Sequence, residues 1–293
     1  MRPDILETGL ANLDKKPENV LAVIAGGGDL PAGLVESVSR TGRAVFIIAI
    51  EGLADPALHQ WPHIVWKLGA GGHLFSSLRK NNCSELVMIG KVPRPEFRDL
   101  HMDAGGLRYA PKLMKILIGG DGSVLDKVVA FFESEGVRVK GAHEVAGDFC
   151  LNETSLGTAR PDKVLKRDII FGAKMARFMG AHDVGQGVVV DKGRILAIEA
   201  AEGTDIMLSR CNELRSESIG TRSGVLVKVP RPGQDLRIDM PTIGVETVQR
   251  LAAAGLAGLA VERGHTLVVD REKVAEAANQ AGIFISTVAP EKT

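Results

Sequence analysis

The sequence predicts an α/β protein in two parts: an N-terminal Rossmann-like domain on a parallel sheet, then a C-terminal domain of mixed α/β (α+β) character. Three observations carry this. Short, wholly apolar runs alternate with helical stretches through the first half, the pattern of strands covered on both faces. A glycine-rich stretch, GAHEVAGDFCLN, interrupts that rhythm at residues 141–152. The chain has 293 residues, more than one ordinary hydrophobic core serves. The domains are placed at 19–140 and 153–290, with 141–152 as the linker.

In the first half the strands are expected at Val20–Ala25, Ala44–Ile50, Ile64–Leu68 and Glu85–Gly90, each apolar and strand-sized. Helices fall between and after them. One starts at Asp29-Leu30-Pro31, with Pro31 suited to a first turn and Asp29 to an N-cap, and runs to Arg40. Others cover His73–Asn81, Gly106–Ile118 and Ser123–Glu135. The second half opens on a long helix near Pro161–Met179. Two strands, Gly187–Asp191 and Ile195–Ala200, follow, joined at a Lys192-Gly193 hairpin turn. A helix starts near Thr204, Val225–Val229 is a strand, and PRPGQDLRID is a loop. Thr242–Ala254 is expected as a helix. The chain then closes with strands at Gly258–Val261, Thr266–Val269 and Ile283–Val288 and a helix at Glu272–Ala281.

Composition narrows the function. Lys+Arg and Asp+Glu are equal at 36, so net charge is zero, which argues against a nucleic-acid partner. Aromatics are 4% of the chain, too few for base-stacking platforms. Cys83, Cys150 and Cys211 are scattered, with no metal or disulfide spacing, and fit a reducing compartment. No uncharged apolar run is long enough to span a membrane. The first twenty residues have mixed charge and no apolar core, so they are expected to be a lead-in rather than a secretory signal. A soluble, cytoplasmic protein is expected. No amphipathic basic helix stands out, so membrane contact is expected to be weak and peripheral, at the inner face of the inner membrane. The oligomeric state is left open, a homodimer included.

Several clusters are suited to phosphate chemistry. Gly26, Gly27 and Gly28 follow a buried strand and precede a helix, where backbone N–H groups and a helix N-terminus favour an anion. The spacing is not GxGxxG, and the tight-turn explanation stands beside the binding one. Lys91 and Arg94, in KVPRP, leave another strand at the same edge and would suit a diphosphate. Asp121 and Ser123, in GGDGS, either cap a helix or meet substrate. His143 lies in the linker, where it would line a cleft or serve structure alone. The second half gathers Asp183 and Gln186; Glu199, Glu202, Thr204 and Asp205; Lys228 and Arg231; and Asp239 and Thr242. Carboxylates on strand ends with hydroxyls nearby are what a Mg²⁺ site on a phosphate substrate requires. The spacing is not diagnostic, since Glu202, Asp205 and Asp239 would serve equally as helix-start acids.

Taken in order, GGGDLP, KVPRP, GDGSVLDKVVAFFESEG, GAHEV, DVGQGVVV, AIEAAEGTDIML and RIDMPTIGVETV resemble the LpxI family, the UDP-2,3-diacylglucosamine pyrophosphatases of lipid A biosynthesis. The resemblance covers about Leu21 to Val288 and departs from the family in the N-terminal lead-in. It implies two domains enclosing the ligand and Mg²⁺-dependent hydrolysis of UDP-2,3-diacylglucosamine. The implied products are UMP and 2,3-diacylglucosamine 1-phosphate (lipid X), with water attacking the β-phosphorus. It puts the essential aspartate on Asp239, and makes Glu202, Thr204 and Asp205 metal-site or phosphate-site candidates. The implied metal set is Asp239, Asp205 and Glu202. The candidate substrate contacts, taken from the residue clusters above, are Gly26, Gly27, Gly28, Lys91, Arg94, Asp121, Ser123, His143, Gln186, Thr204, Lys228 and Thr242. The alternatives are a nucleotide-binding regulatory module and an NAD-dependent oxidoreductase. The missing GxGxxG counts against the second, and the acid-bearing loops of the second half count against the first.

Overall fold

Two wholly buried apolar runs, LAVIA and VFIIAI, lie at the heart of the first sheet. The computed structural model describes residues 19–93, 100–117, 121–215 and 222–291, except the side chains at 113–115, 117, 121–123 and 215. The N-terminal lead-in lies outside the described residues. The chain divides into two compact units between Lys140 and Gly141.

In the first unit, β1 (Leu21–Ala25), β2 (Val45–Ile50), β3 (His63–Trp66), β4 (Glu85–Ile89) and β5 (Arg138–Val139) form one sheet. Its order is β3-β2-β1-β4-β5, and every pair is parallel. Every side chain of β1 and β2 is buried, as strands covered on both faces require. The two-residue β5 is too short to show in the sequence. Helix α1 (Leu30–Arg40) follows β1, with Asp29 at the N-cap position but making no side-chain cap bond. Helix α2 (Gly71–Lys80) follows β3. The stretch expected as one helix from Gly106 is a 3-10 turn, Gly106–Tyr109, running into α3 (Ala110–Leu117). Helix α4 (Asp121–Ser134) then leads to β5. Strand order reverses between β1 and β4, so the loops after these strands flank the switch point, where open α/β sheets bind ligands.

The second unit opens with α5 (Ala142–Val145) and β6 (Ser155–Leu156). The segment 141–152 belongs to this unit: Cys150 bridges Leu267, and Leu151 N–H donates to Thr266 O at 3.1 Å. Helix α6 (Lys163–Gly180) is capped by the Asp162 carboxylate, so Pro161 stands just outside it rather than in its first turn. Strands β7 (Gly187–Asp191) and β8 (Arg194–Ile198) form the expected hairpin. Lys192 and Gly193 both take positive φ, 50° and 77°, as a two-residue hairpin turn needs. Next come α7 (Gly203–Arg215), β9 (Val225–Lys228), β10 (Thr242–Ile243), α8 (Val245–Ala253), β11 (Gly258–Glu262), β12 (Leu267–Val268), α9 (Arg271–Ala281) and β13 (Phe284–Val288).

The larger sheet of this unit has the order β6-β13-β11-β9-β7-β8. Strands β9, β11 and β13 are parallel; β7 runs against β9 and β8, and β6 against β13. Alternation sorts its side chains into two layers. Val189, Leu226, Leu259 and Ile285 pack with Met207, Leu208, Val248, Leu251 and Val274 from α7, α8 and α9. Val188, Val190, Val225, Val227 and Phe284 pack with Ile169, Ala173 and Ala176 from α6. One expectation is corrected. Thr242 is not the start of a helix but pairs with Leu267 in the small β10–β12 ladder, and α8 takes Gly244 as its N-cap. The bond from Leu267 N–H to Pro241 O extends that ladder, which keeps Thr242 extended.

Candidate active site at the carboxyl edge of the second sheet

Two loops meet at the switch point of the first unit. Gly26 N–H donates to Ile89 O at 2.9 Å and Gly27 N–H to Lys91 O at 2.9 Å, while Lys91 N–H donates to Gly27 O at 2.8 Å. A Cβ on Gly26 would lie 2.7 Å from Lys91 O, and one on Gly90, at φ +100°, 2.9 Å from Gly26 C. These glycines therefore serve the close approach of two backbones. The tight-turn explanation accounts for two of the three in Gly26–Gly28, since the amides of Gly26 and Gly27 are committed to the neighbouring loop. The flank stays open at Gly28, where an added Cβ meets nothing within 4 Å. Lys91 is exposed beside it. Arg94 and the side chains of Asp121 and Ser123 lie outside the described residues.

A second glycine-rich turn of this unit, at the start of α2, went unnoticed in the sequence. It already holds an anion of the chain itself. Asp103 Oδ1 accepts from Gly72 N–H at 3.0 Å and Oδ2 from His73 N–H at 2.7 Å.

The second unit concentrates charge where β7 begins and β8 and β9 end. Gly187 pairs with Lys228, and Glu199 N–H donates to Gly187 O at 2.8 Å just past β8. Glu199 and Lys228 are both buried. The Lys228 ammonium donates to Thr204 Oγ1 at 2.8 Å, and Thr204 Oγ1 donates to Glu199 Oε1 at 2.7 Å. Thr204 thus bridges a buried cation and a buried anion from the first turn of α7. Glu199 Oε2 and Gln186 Oε1 are enclosed without a partner. Gln186 belongs to the same edge, since its carbonyl accepts from Val229 N–H at 3.1 Å. Gly185 and Gly187 make room here, because a Cβ on Gly187 would meet Glu199 Oε2 at 2.4 Å.

Three residues beyond Lys228, Arg231 turns back onto Asp239. Its Nη2 donates to Asp239 Oδ2 at 2.8 Å and its Nη1 bonds Asp183. Gln234 fixes the loop, accepting from Arg231 N–H at 2.8 Å and donating to Asp239 O at 2.7 Å. Asp239 is therefore a partly exposed carboxylate held by a guanidinium, and it does not cap α8. Thr242 Oγ1 donates to Met240 O at 3.2 Å, a local bond within the same turn.

The expected three-acid metal set does not assemble. Asp239 is on Arg231, Asp205 on Arg250 at 3.1 Å, and Glu202 on Arg210. Among the described residues no three His, Cys, Asp or Glu side chains converge as metal ligands. Glu202 and Asp205 flank the start of α7, so their separate arginines tie them to surface ion pairs instead.

His143, on α5, stands beside this loop system. A Cβ on Gly141 would meet its ring at 2.4 Å and Arg237 Cα at 3.2 Å. Its Nδ1 is enclosed without a partner. Burial pushes the ring below its ordinary value of 6.5, reinforced by His265 and opposed by Glu144 and Asp235. The neighbouring Asp235 is held below the usual carboxylate range by its Arg237 partner, against burial. The unfolded chain therefore takes up a proton at His143 that the folded chain resists, and stability falls as pH drops through 6.5. Chemical denaturation of the parent and of His143→Gln between pH 8 and 5.5 checks this, the variant having the shallower decline.

Gln186, Glu199, Thr204, Lys228, Arg231 and Asp239, all singled out in the sequence, lie in this region, and the structure adds two pairings. Arg231 holds Asp239, and Glu199 anchors Thr204. The signal for Glu199 is the paired glycines of DVGQG, which need a reason to lack side chains; the pairing of Arg231 with Asp239 across eight residues has no periodic signature.

The N-terminal LpxI domain model matches residues 20–149 and the C-terminal LpxI domain model residues 152–286. The UDP-2,3-diacylglucosamine pyrophosphatase LpxI of Caulobacter vibrioides is 42% identical over 275 residues, covering 93% of this chain and 98% of that protein. Two solved structures give only slight likeness. A GalE-like L-threonine dehydrogenase from Cupriavidus necator is 10% identical with a TM-score of 0.31, covering 94% of this chain and 86% of its own. A UDP-glucose-4-epimerase from Stenotrophomonas maltophila is 12% identical with a TM-score of 0.30, covering 94% and 78%. Two domain models in sequence order and a full-length relative agree: the chain belongs to the LpxI family.

Proposed function

We propose that this protein hydrolyses the diphosphate of UDP-2,3-diacylglucosamine in lipid A biosynthesis, releasing UMP and lipid X, with Mg²⁺ as the activating ion. The observation that carries the reading is the Asp239 carboxylate held by Arg231, three residues beyond the buried Lys228. It stands in a chain 42% identical to a protein named for that pyrophosphatase activity.

Hydrolysis of a phosphoric anhydride needs charge neutralised on the phosphoryl oxygens and a water placed in line. Arg231 and Lys228 are the cations available at this edge for the first task. Asp239 is suited to the second, taking a proton from the water or fixing its orientation. In the proposed reaction the water oxygen bonds to the β-phosphorus, the anhydride bond to the α-phosphate breaks, and UMP leaves with that bridging oxygen. Thr204 keeps the Lys228 ammonium in place, and Gln186 offers an amide at the same rim.

Product analysis tests the reading. Purified protein with UDP-2,3-diacylglucosamine and Mg²⁺ should yield UMP and lipid X by mass spectrometry, and exhaustive chelation with EDTA should abolish both. Release of UDP would overturn the bond assignment, and full turnover in EDTA would overturn the role of Mg²⁺.

A further inference from the structure

We propose that the outward face of α6 docks this protein onto an anionic lipid surface. The helix carries large apolar side chains on its outward side as well as its inward one. Its inward side sets Ile169, Gly172, Ala173 and Ala176 against the sheet, with Leu165 and Met175 partly buried on the same cluster. Four large apolar side chains point outward: Ile170 is 71% exposed, Phe178 59%, Val164 46% and Phe171 36%.

Val164, Phe171 and Phe178 are spaced by seven residues and form one stripe, about 21 Å long at the rise of an α-helix. Lys163, Arg167 and Lys174, all exposed, form a second stripe directly beside it. Asp168 on this helix is buried, accepting from Lys192 N–H at 2.9 Å and Gly193 N–H at 2.8 Å. That contact sets the exposed Lys192 of the β7–β8 turn next to the apolar stripe. The face therefore combines aromatic and aliphatic side chains with cations.

Contiguous exposed apolar side chains mark an interaction surface. The charge on this one selects its partner. A helix with Phe and Ile among Lys and Arg suits the interface of a bilayer containing anionic lipids, where rings enter the headgroup boundary and cations meet phosphates. A second copy is the poorer complement, because a two-fold contact through α6 sets Lys163, Arg167 and Lys174 against their own equivalents. The sequence hides the feature because the outward stripe repeats with the same helical period as the inward one. The hydrolytic reading is independent of it: none of these side chains belongs to the site. The helix nevertheless ends there, since a Cβ on Gly180 would lie 3.1 Å from Arg231 Cα.

Vesicle flotation of the full chain at low salt, without substrate, tests the proposal. Binding is expected to phosphatidylethanolamine/phosphatidylglycerol vesicles and not to phosphatidylcholine vesicles. It should weaken in high salt as the charges are screened. The triple variant K163E/R167E/K174E should lower partitioning by about a hundredfold or more. The pair Phe171→Ser and Phe178→Ser should lower it about tenfold or more. Both variants should melt like the parent and hydrolyse detergent-dispersed substrate as it does, so lost binding is distinct from lost folding or activity. Equal flotation with both vesicle types, or variants that float like the parent, would overturn the proposal. So would a dimer in sedimentation that the variants dissolve, which would give this face to a second copy.

Discussion

Asp239→Ala is expected to fold as the parent does and to lose hydrolysis by roughly a hundredfold to ten-thousandfold. The carboxylate stands on a loop, partly exposed, with one strong partner in Arg231. Truncating such a group costs about 0.5–1 kcal/mol of stability. The rate suffers far more, because a water-orienting or proton-accepting group acts on the barrier directly. Substrate binding should persist, since a uridine and two acyl chains make their contacts away from the reacting phosphorus. Freed Arg231 still bonds Asp183, so the cation stays near the site. A thermal melt, a rate measurement and a binding isotherm on this one variant check the three statements. A rate like the parent's would remove Asp239 from the chemistry.

Lys228→Met is expected to fail differently, through the fold as well as the rate. Lys228 and Glu199 are both buried, linked through the Thr204 hydroxyl. Removing the ammonium leaves a carboxylate enclosed with only a hydroxyl for company, and breaking such a buried arrangement costs about 3–5 kcal/mol. The melting temperature of this variant should therefore fall by roughly 10 °C. Adding Glu199→Gln removes the stranded charge and should restore most of the loss, while hydrolysis stays low because the phosphate-neutralising cation is still missing. Melts of the single and double variants together with their rates separate the two contributions. If the double variant melts no higher than Lys228→Met, the bridge through Thr204 is not what holds this edge together.

Most of the fold was legible because its signals are local. The runs LAVIA and VFIIAI announce strands covered on both faces, and Lys192-Gly193 has the composition of a tight hairpin turn. The two-residue strands β5, β6 and β10 escaped because their pairing is set by distant partners rather than by their own pattern. The same division runs through the site. Asp239, Thr204 and Lys228 could be named from motifs. That Asp205 and Glu202 would each turn to a different arginine is a tertiary fact, since an acid in the first turn of a helix looks the same in sequence whether it binds a metal or an Arg.

The backbone exchange between Gly26, Gly27 and Lys91 also has a mechanical consequence. Two segments more than sixty residues apart in the chain are fastened across the switch point by reciprocal amide bonds. They can swing only as a pair: releasing one frees amides and carbonyls of the other. A ligand that grips the Lys91 loop therefore stills the glycine turn without touching it. The conformational entropy lost on binding is shared between the two segments, so each makes ordering the other less costly. Because Gly26 and Gly90 leave no room for a side chain between them, this fastening acts as a stiff joint in the first unit rather than as a loose flap.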